Sequence, residues 1–468
     1  MTGWTVKEIL QATEGRLLRG RFDQEILGIS IDSRGIAPQE AFVAIRGHKF
    51  DGHDFLNEAI KHGASCLIIS RDVPSVSSTA TLPVILVSDT TEALGDLARF
   101  HRRRMNKPVI AITGSCGKTT TKELIAHIIG EPDAVLKTTG TQNNHIGTPL
   151  TLLRMNDKHQ VAVVECGSNH PGEIAYLASI AEPNIVVITN VGPVHLEFLG
   201  SLMGVLNEKL SLLDALSPEG TAVIPGDQLD VCLEAPRHLE PGIRVATFGM
   251  SDRCDIQAID LERTDGGMAF RLRDQFSQWL LPIVGSHNVE NALAAITCAW
   301  AYGVSLSLVR ERLQSFQAVP LRSEVVRCEG LTILNDCYNA NPLSVARALE
   351  TLKALKARRR VAIVGDMLEL GAYAPSAHQA IGRLASQLGI DSVIAVGDYA
   401  DNVAQGVREL RPYGVTTYRT VNELLEGLPS IVQEGDGLLV KGSRKLNLER
   451  VTAYLLEHYR GVDGVWDR

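Results

Sequence analysis

Short apolar runs punctuated by glycine, proline and aspartate recur along the whole chain, with helix-like segments between them. In the first hundred residues the runs AFVAIRG, SCLIIS and PVILVS are rich in β-branched residues and bounded by turn formers, which predicts strands. NEAIKHGA and TEALGDLARFHRRR, between and after them, read as helices, so residues 1–100 form a small α/β unit. From about residue 107 the alternation lengthens. PVIAIT, VAVVEC, NIVVITN and TAVIP are unbroken apolar runs of the kind a parallel sheet buries on both faces, and the segments between them predict a doubly wound arrangement. CDIQAIDLERTDGGMAFRLRD and WLLPIVG alternate like antiparallel strands and predict a side sheet on this central unit. NVENALAAITCAWAYG predicts a helix closed by its final glycine.

The helical pattern stops at the proline of QSFQAVPLRSEVV, which puts a boundary near residue 318. Beyond it LTILND, RVAIVGD, SVIAVGD and GLLVKGS are again strand-like, with helices between, in the element order of a dinucleotide-binding sheet. The expected fold is α/β in three domains, 1–100, 101–318 and 319–468, in line with a length of 468 residues. There is no internal repeat and no low-complexity tract.

Composition narrows the function classes. With 45% apolar and 21% charged residues the chain is globular, and a net charge of −8 argues against a nucleic-acid footprint. The basic runs HRRRMNK and KARRR each precede a strand and read as solvated helix ends or linkers. The eight cysteines, Cys66, Cys116, Cys166, Cys232, Cys254, Cys298, Cys328 and Cys337, include no CxxC pair and no zinc spacing, and fit a reducing compartment. MTGWTVKEILQATEG reads as an amphipathic helix rather than a signal peptide, and no apolar run reaches membrane-spanning length. A cytoplasmic protein without membrane insertion is expected.

The stretch VIAITGSCGKTTTKELIAHII carries the first candidate chemistry, a strand running through a glycine-rich turn into a helix. The common phosphate loop is GxxxxGK[ST], and here Gly117, Lys118 and Thr119 match its second half. Its first glycine would fall at Ile112; the chain instead has Gly114, followed by Ser115 and Cys116, a compact GxxGKTT. Two glycines allow close backbone approach to an anion, and the helix N-terminus adds partial positive charge. Lys118 would neutralise phosphate oxygens, and Thr119 or Thr120 could ligate Mg²⁺. A plain strand–turn–helix with a surface lysine is the simpler alternative.

In a parallel sheet, ligands gather at the carboxyl ends of the strands. VAVVE ends in Glu165, and NIVVITN leads six residues past Thr189 to His195. Beside a phosphate loop, this carboxylate and imidazole could hold one or two Mg²⁺ ions. Singly, each also fits a helix cap or a satisfied turn residue. Lys209, in GVLNEKLSLL, reads by spacing alone as an exposed helix lysine.

Taken together, TGSCGKTT, TQNNHIGTPLTLL, VVECGSNHPGEI, TNVGPVHLEFLGS, GSHNVENALAA, DCYNANPLSVARALE, VGDMLELG and LVKGSRKLNLERV occur in the order seen in the Mur ligases of peptidoglycan synthesis, which the chain resembles over nearly its whole length. IDSRGIAPQEAFVAIRGHKFDGHDF resembles their UDP-sugar-binding domain. Within the family, YNANP with GDMLELG, and the lack of a DNPR motif, resemble the member that adds a dipeptide rather than a third residue. The resemblance implies three domains: an N-terminal UDP-binding α/β domain, a central ATP-binding domain built on a mostly parallel sheet with an antiparallel side sheet, and a Rossmann-like C-terminal domain. It implies an ATP- and Mg²⁺-dependent, ADP-forming ligase acting on UDP-N-acetylmuramoyl-tripeptide and D-alanyl-D-alanine through an acyl phosphate, complete within one chain.

By motif, the resemblance puts Gly114 to Thr120 on ATP, Thr119 and Glu165 on one Mg²⁺ and His195 on a second. Asn288 and Asn291 fall near adenine, and Arg322 and Asp336 near the phosphate and ribose. Asn143 and Asn144 line the approach to the nucleotide-sugar substrate, with Ser33 and Arg34 in the N-terminal domain. Tyr338, Asn339 and Asn341 lie near the dipeptide. Lys209 aligns with a lysine carbamylated in these ligases, although NEKLSLL departs from the more frequent AKGEI form. Cys116 is a second departure, where serine or asparagine is more usual. The neighbouring readings are the third-residue ligase, folylpolyglutamate synthase, which lacks the UDP-sugar domain, and a nucleotide-binding regulator without ligation. Whether the tripeptide ends in diaminopimelate or lysine is not fixed by the motifs.

Overall fold

A computed structural model of the protein describes residues 3–47, 49–77, 81–328 and 330–459. Met1, Thr2 and His48, which fall within motifs quoted above, and the last residues of the C-terminal unit lie outside these. Among the described residues no helix is long and apolar enough to cross a membrane.

The central sheet has nine strands. Val135–Lys137, Val161–Glu165, Val109–Thr113, Ile185–Ile188, Thr221–Pro225 and Arg244–Gly249 run parallel in that spatial order. Alternation along Val109–Thr113 explains the layering: Ile110 and Ile112 enter one core and Val109 and Ala111 the other. Helices Lys118–Ile129 and Ser286–Tyr302 cover the first face, and Glu173–Ala181 and Leu202–Leu210 the second. Ser286–Tyr302 ends as expected, at Gly303 in the left-handed region with φ 101°. The antiparallel strands Ile256–Arg263, Met268–Leu272 and Gln278–Leu281 do not form a separate sheet. They continue the same one, because Phe248 and Gly249 pair in parallel with Ile256 and Gln257.

The C-terminal sheet has six strands, ordered Glu324–Cys328, Leu331–Asn335, Asp436–Lys441, Arg359–Gly365, Ser392–Val396 and Val415–Tyr418, all parallel except the first pair. The N-terminal sheet orders Arg16–Arg19, Val84–Leu86, Cys66–Ile69, Glu40–Val43 and Gly28–Ser30. The basic run ending helix Thr90–Met105 is not the solvated end expected of it. Arg102 is buried and donates to the carbonyls of Ala181 and Glu182, and the Arg104 guanidinium lies 4.5 Å over the Trp4 ring. These arginines tie the N-terminal unit and the central sheet to one helix.

Strand register sets the site. Glu165 pairs with Ile112, and Ile188 with Thr113, so the carboxyl ends of three central strands are level. The phosphate-like loop, the Glu165 turn and the 189–195 segment all leave from that line.

Candidate active site

The loop between Thr113 and helix Lys118–Ile129 is braced by residues 189–192. The Ser115 and Cys116 N–H groups donate to Asn190, and the Thr189 hydroxyl donates to the Cys116 carbonyl at 2.6 Å. Both loop glycines have positive φ, 144° at Gly114 and 80° at Gly117. A Cβ at Gly114 would sit 2.1 Å from Thr189 Oγ1, and one at Gly117 2.1 Å from Asn291 Oδ1. The compact GxxG spacing thus follows from two close approaches. With Ser115 and Cys116 engaged, the donors left for an anion are those from Gly117 onward, the unpaired first turn of the helix. Gly117→Ala is expected to destabilise the protein by at least about 1 kcal/mol, read from the midpoint of urea unfolding.

Lys118 Nζ folds back onto the Gly114 carbonyl at 2.6 Å, and desolvation holds its pKa below the ordinary lysine value, with Glu165 opposing. Thr119 donates its hydroxyl to Glu165 Oε2 at 2.9 Å, while Asn143 Nδ2 donates to Oε1 at 2.7 Å. Among the described residues no three His, Cys, Asp or Glu side chains lie close enough to hold a metal unaided. One carboxylate beside one hydroxyl is the donor set magnesium takes when phosphate oxygens and waters complete its shell. The residues therefore fit a magnesium–nucleotide.

These groups line a cleft of about 490 Å³ whose opposite wall comes from beyond residue 318. Arg322 stacks over the Tyr338 ring at 4.1 Å, and the Tyr338 hydroxyl bonds Thr141 Oγ1 at 2.5 Å. Asp336 accepts from Lys441 Nζ at 2.6 Å and from the Ser323 N–H at 3.0 Å. Asn339 also lines the wall. Asn341 caps helix Pro342–Ala354 through the Ser344 N–H, and its amide donates to Cys116 Sγ at 3.2 Å. Asn288 and Asn291 are buried at the floor, with Asn291 Nδ2 donating to Asn288 Oδ1. Thr120, Asn144 and His195 complete the expected residues of the lining. Asn144 Oδ1 also accepts from the N–H of Gly147, the first residue of helix Gly147–Leu153, at 2.9 Å.

Four expected residues are not in the lining, the first of them Gly114, whose carbonyl holds Lys118 behind the loop. Ser33 is buried in the N-terminal unit, donating to Glu58, and Arg34 beside it is exposed and paired with Asp32. Lys209 is not the exposed lysine that its spacing suggests: it is 1% exposed, its amine donates to Ser168 Oγ at 2.8 Å, and Ser168 itself lines the cleft. Burial, with the Lys118 charge adding to it, pushes its pKa down to about 7.

Several neighbours were not singled out from the sequence. Lys122 is fully buried, donates to the carbonyls of Thr138 and Gly140, and lies 4.0 Å from Glu165. Its signal is the four-residue step from Lys118, one helical turn on. Lys441 and Glu369 sit inside the quoted LVKGS and GDMLELG motifs. His287 lines the cleft, and burial pushes its pKa down to about 4.

Comparison with known proteins finds matches along most of the chain. Residues 25–102 match the catalytic domain of the Mur ligase family, 112–299 the Mur ligase middle domain, and 321–444 the Mur ligase glutamate ligase domain. A Bacillus subtilis relative named UDP-N-acetylmuramoyl-tripeptide–D-alanyl-D-alanine ligase is 33% identical over 97% of this chain and 98% of its own. Crystal structure I of MurF from Acinetobacter baumannii superposes with a TM-score of 0.89 at 32% identity, covering 98% of this chain and 99% of that one. MurF from Thermotoga maritima in complex with ADP gives 0.82 at 27% identity, covering 92% and 97%.

Proposed function

The chain belongs to the Mur ligase family, and on that premise we propose that it is the member that joins D-alanyl-D-alanine to UDP-N-acetylmuramoyl-tripeptide, a MurF ligase using ATP and forming ADP. The observation that carries this reading is one cleft with a lysine, hydroxyl and carboxylate on the central side and Arg322, Asp336 and Tyr338 on the C-terminal side. Two anions, the peptide carboxylate and the terminal phosphate, must meet in it, and cationic groups must offset their repulsion.

Residues 1–100 would bind the UDP-sugar, with Ser33 and Arg34 among the contacts; 101–318 would bind ATP, and 319–468 would complete the site. Gly117, Lys118, Thr119 and Thr120 offer donors to the phosphates from the helix N-terminus. Asn288 and Asn291 would flank the adenine, and Arg322 and Asp336 would reach phosphate and ribose. A magnesium ion between the Thr119 hydroxyl, Glu165 and phosphate oxygens, with a second near His195, would supply charge neutralisation. The substrate carboxylate oxygen attacks the γ-phosphorus, the bond to the β–γ bridging oxygen breaks and ADP departs. The dipeptide amine then attacks the acyl carbon, loses a proton and expels phosphate. Lys118 holds the transferring phosphoryl oxygens throughout; Asn143 and Asn144 face the nucleotide-sugar substrate, and Tyr338, Asn339 and Asn341 the incoming dipeptide.

Lys209 suits carbamylation, since a pKa near 7 supplies the neutral amine that attacks carbon dioxide, forming the N–C bond and releasing a proton. The same shift has a stability consequence. Between pH 7 and the ordinary lysine pKa of 10.5 the unfolded chain holds a proton the folded chain has lost, so stability rises with pH. In buffer purged of carbon dioxide, wild type is expected to gain on the order of 2 kcal/mol over Lys209→Met between pH 7 and 9, by urea unfolding. Parallel curves would contradict it.

All eight cysteines are free thiols, which supports a cytoplasmic location, and the site is read as one formed by a single chain. Purified protein with ATP, magnesium and the UDP-tripeptide should release phosphate at its full rate only when D-alanyl-D-alanine is added. Release indifferent to the dipeptide would overturn this reading in favour of a nucleotide-binding regulator or another ligase of the family.

A further inference from the structure

His195 and Glu369 face each other across the boundary between the central and C-terminal sheets. His195 Nδ1 lies 2.5 Å from Glu369 Oε2, and the Glu197 N–H donates to the Glu369 carbonyl at 3.3 Å. Both residues adopt positive φ, 52° at His195 and 62° at Glu369, which side chains other than glycine rarely take outside functional or capping positions. Gly371 follows at φ 53°, and a Cβ there would come 3.3 Å from Glu197 Cα, so the two loops dock at backbone distance. No described residue hydrogen-bonds His195 Nε2, while both His195 and Glu369 line the cleft.

We propose that Glu369 is a positioning residue for His195, fixing the proton on Nδ1 so that Nε2 presents its lone pair to the cleft, and doing so only when the C-terminal domain is docked. This rests on the reading of His195 as a ligand of the second metal. A carboxylate on the far nitrogen sets the tautomer and ring orientation of a metal-binding imidazole and raises its basicity, and loss of such a partner typically weakens metal binding about 10- to 100-fold. Here the partner comes from another domain, so metal affinity at this position is coupled to closure. The second metal is then held fully only after the residues that surround the nucleotide from the C-terminal side are in place.

The test uses the full chain with ADP and Mn²⁺ as the probe, its binding followed by electron paramagnetic resonance. The protonated imidazole nitrogen is read in parallel from ¹⁵N-histidine spectra at pH 8, with His195→Ala assigning the resonance. Glu369→Ala is expected to weaken the Mn²⁺ site that His195→Ala removes by about 10- to 100-fold and to move the His195 proton from Nδ1 toward Nε2. Glu369→Gln, whose amide oxygen still accepts from Nδ1–H, should restore the tautomer and most of the affinity, which a merely structural defect would not do. If Glu369→Ala leaves tautomer and Mn²⁺ affinity unchanged while His195→Ala weakens binding, the positioning role is overturned and the metal reading of His195 stands. If His195→Ala leaves Mn²⁺ binding unchanged, the metal reading fails and the proposal with it.

Discussion

Lys118→Met is expected to lower kcat for ligation by at least about a hundredfold, since removing a single donor to developing charge costs about 2.7–4 kcal/mol. On the proposed reading Lys118 sits where the two anionic reactants meet, and its ammonium, now 2.6 Å from the Gly114 carbonyl, would exchange that neutral partner for a charged phosphate oxygen. Methionine keeps the aliphatic stem and removes the charge. KM for the UDP-tripeptide should stay nearly constant if its nucleotide-sugar part is held by the N-terminal unit as proposed; KM for ATP should rise. Steady-state kinetics in each substrate separate these effects. A variant within tenfold of wild-type kcat would mean that the loop N–H groups carry the phosphate alone.

Glu165→Gln is the second substitution expected to have a large effect. The side chain is 1% exposed and held by Thr119, Asn143 and, at 4.0 Å, Lys122. Glutamine fits the same space but takes away the negative charge that would share a magnesium ion with the Thr119 hydroxyl. kcat should fall by about 10²- to 10³-fold, and half-saturation by magnesium should move to higher concentration by about tenfold or more. The buried Lys122 ammonium keeps its ion pair with Glu123 at 2.9 Å, so the protein should remain folded, which circular dichroism would check. A loss of kcat with no change in the magnesium titration would assign Glu165 to orienting Asn143 and Thr119 rather than to the metal.

Much of the fold was legible because the central strands are buried on both faces and so read as unbroken apolar runs, as VIAIT of Val109–Thr113 and IVVI of Ile185–Ile188 show. Eight of the described strands were not foreseen, the short Arg16–Arg19 and Gly28–Ser30 and the edge strand Glu324–Cys328 among them. Val135–Lys137 is only three residues long, and Arg244–Gly249 and Val415–Tyr418 interleave exposed or half-buried positions without a clean period. The phosphate loop was legible from local pattern, while the reason for its short spacing was not. Thr189 and Asn291, the groups that forbid side chains at Gly114 and Gly117, come from distant parts of the chain.

Lys209 shows where spacing misleads. Val205, Leu206 and Leu210 on the same helix are buried, and Lys209 lies one turn from Val205 on that stripe, so the apolar period itself predicts burial once the lysine is placed on it. The contacts joining the two walls of the cleft, Tyr338 to Thr141, Asn341 to Cys116 and Glu369 to His195, carry no local signal. They depend on how the sheet beyond residue 318 docks on the central one. HRRR reads as a solvated helix end for the same reason, since Ala181 and Glu182, which accept from Arg102, are about eighty residues away.

Activation of the peptide carboxylate by ATP within this cleft is tested most directly by isotope transfer. The UDP-tripeptide, labelled with ¹⁸O in its terminal carboxylate, is incubated with the protein, ATP, magnesium and D-alanyl-D-alanine, and the phosphate and the UDP-peptide are weighed by mass spectrometry. The expected result is one ¹⁸O in each phosphate released and a UDP-peptide extended by the dipeptide. Unlabelled phosphate, or a UDP-peptide of unchanged mass, would contradict the account.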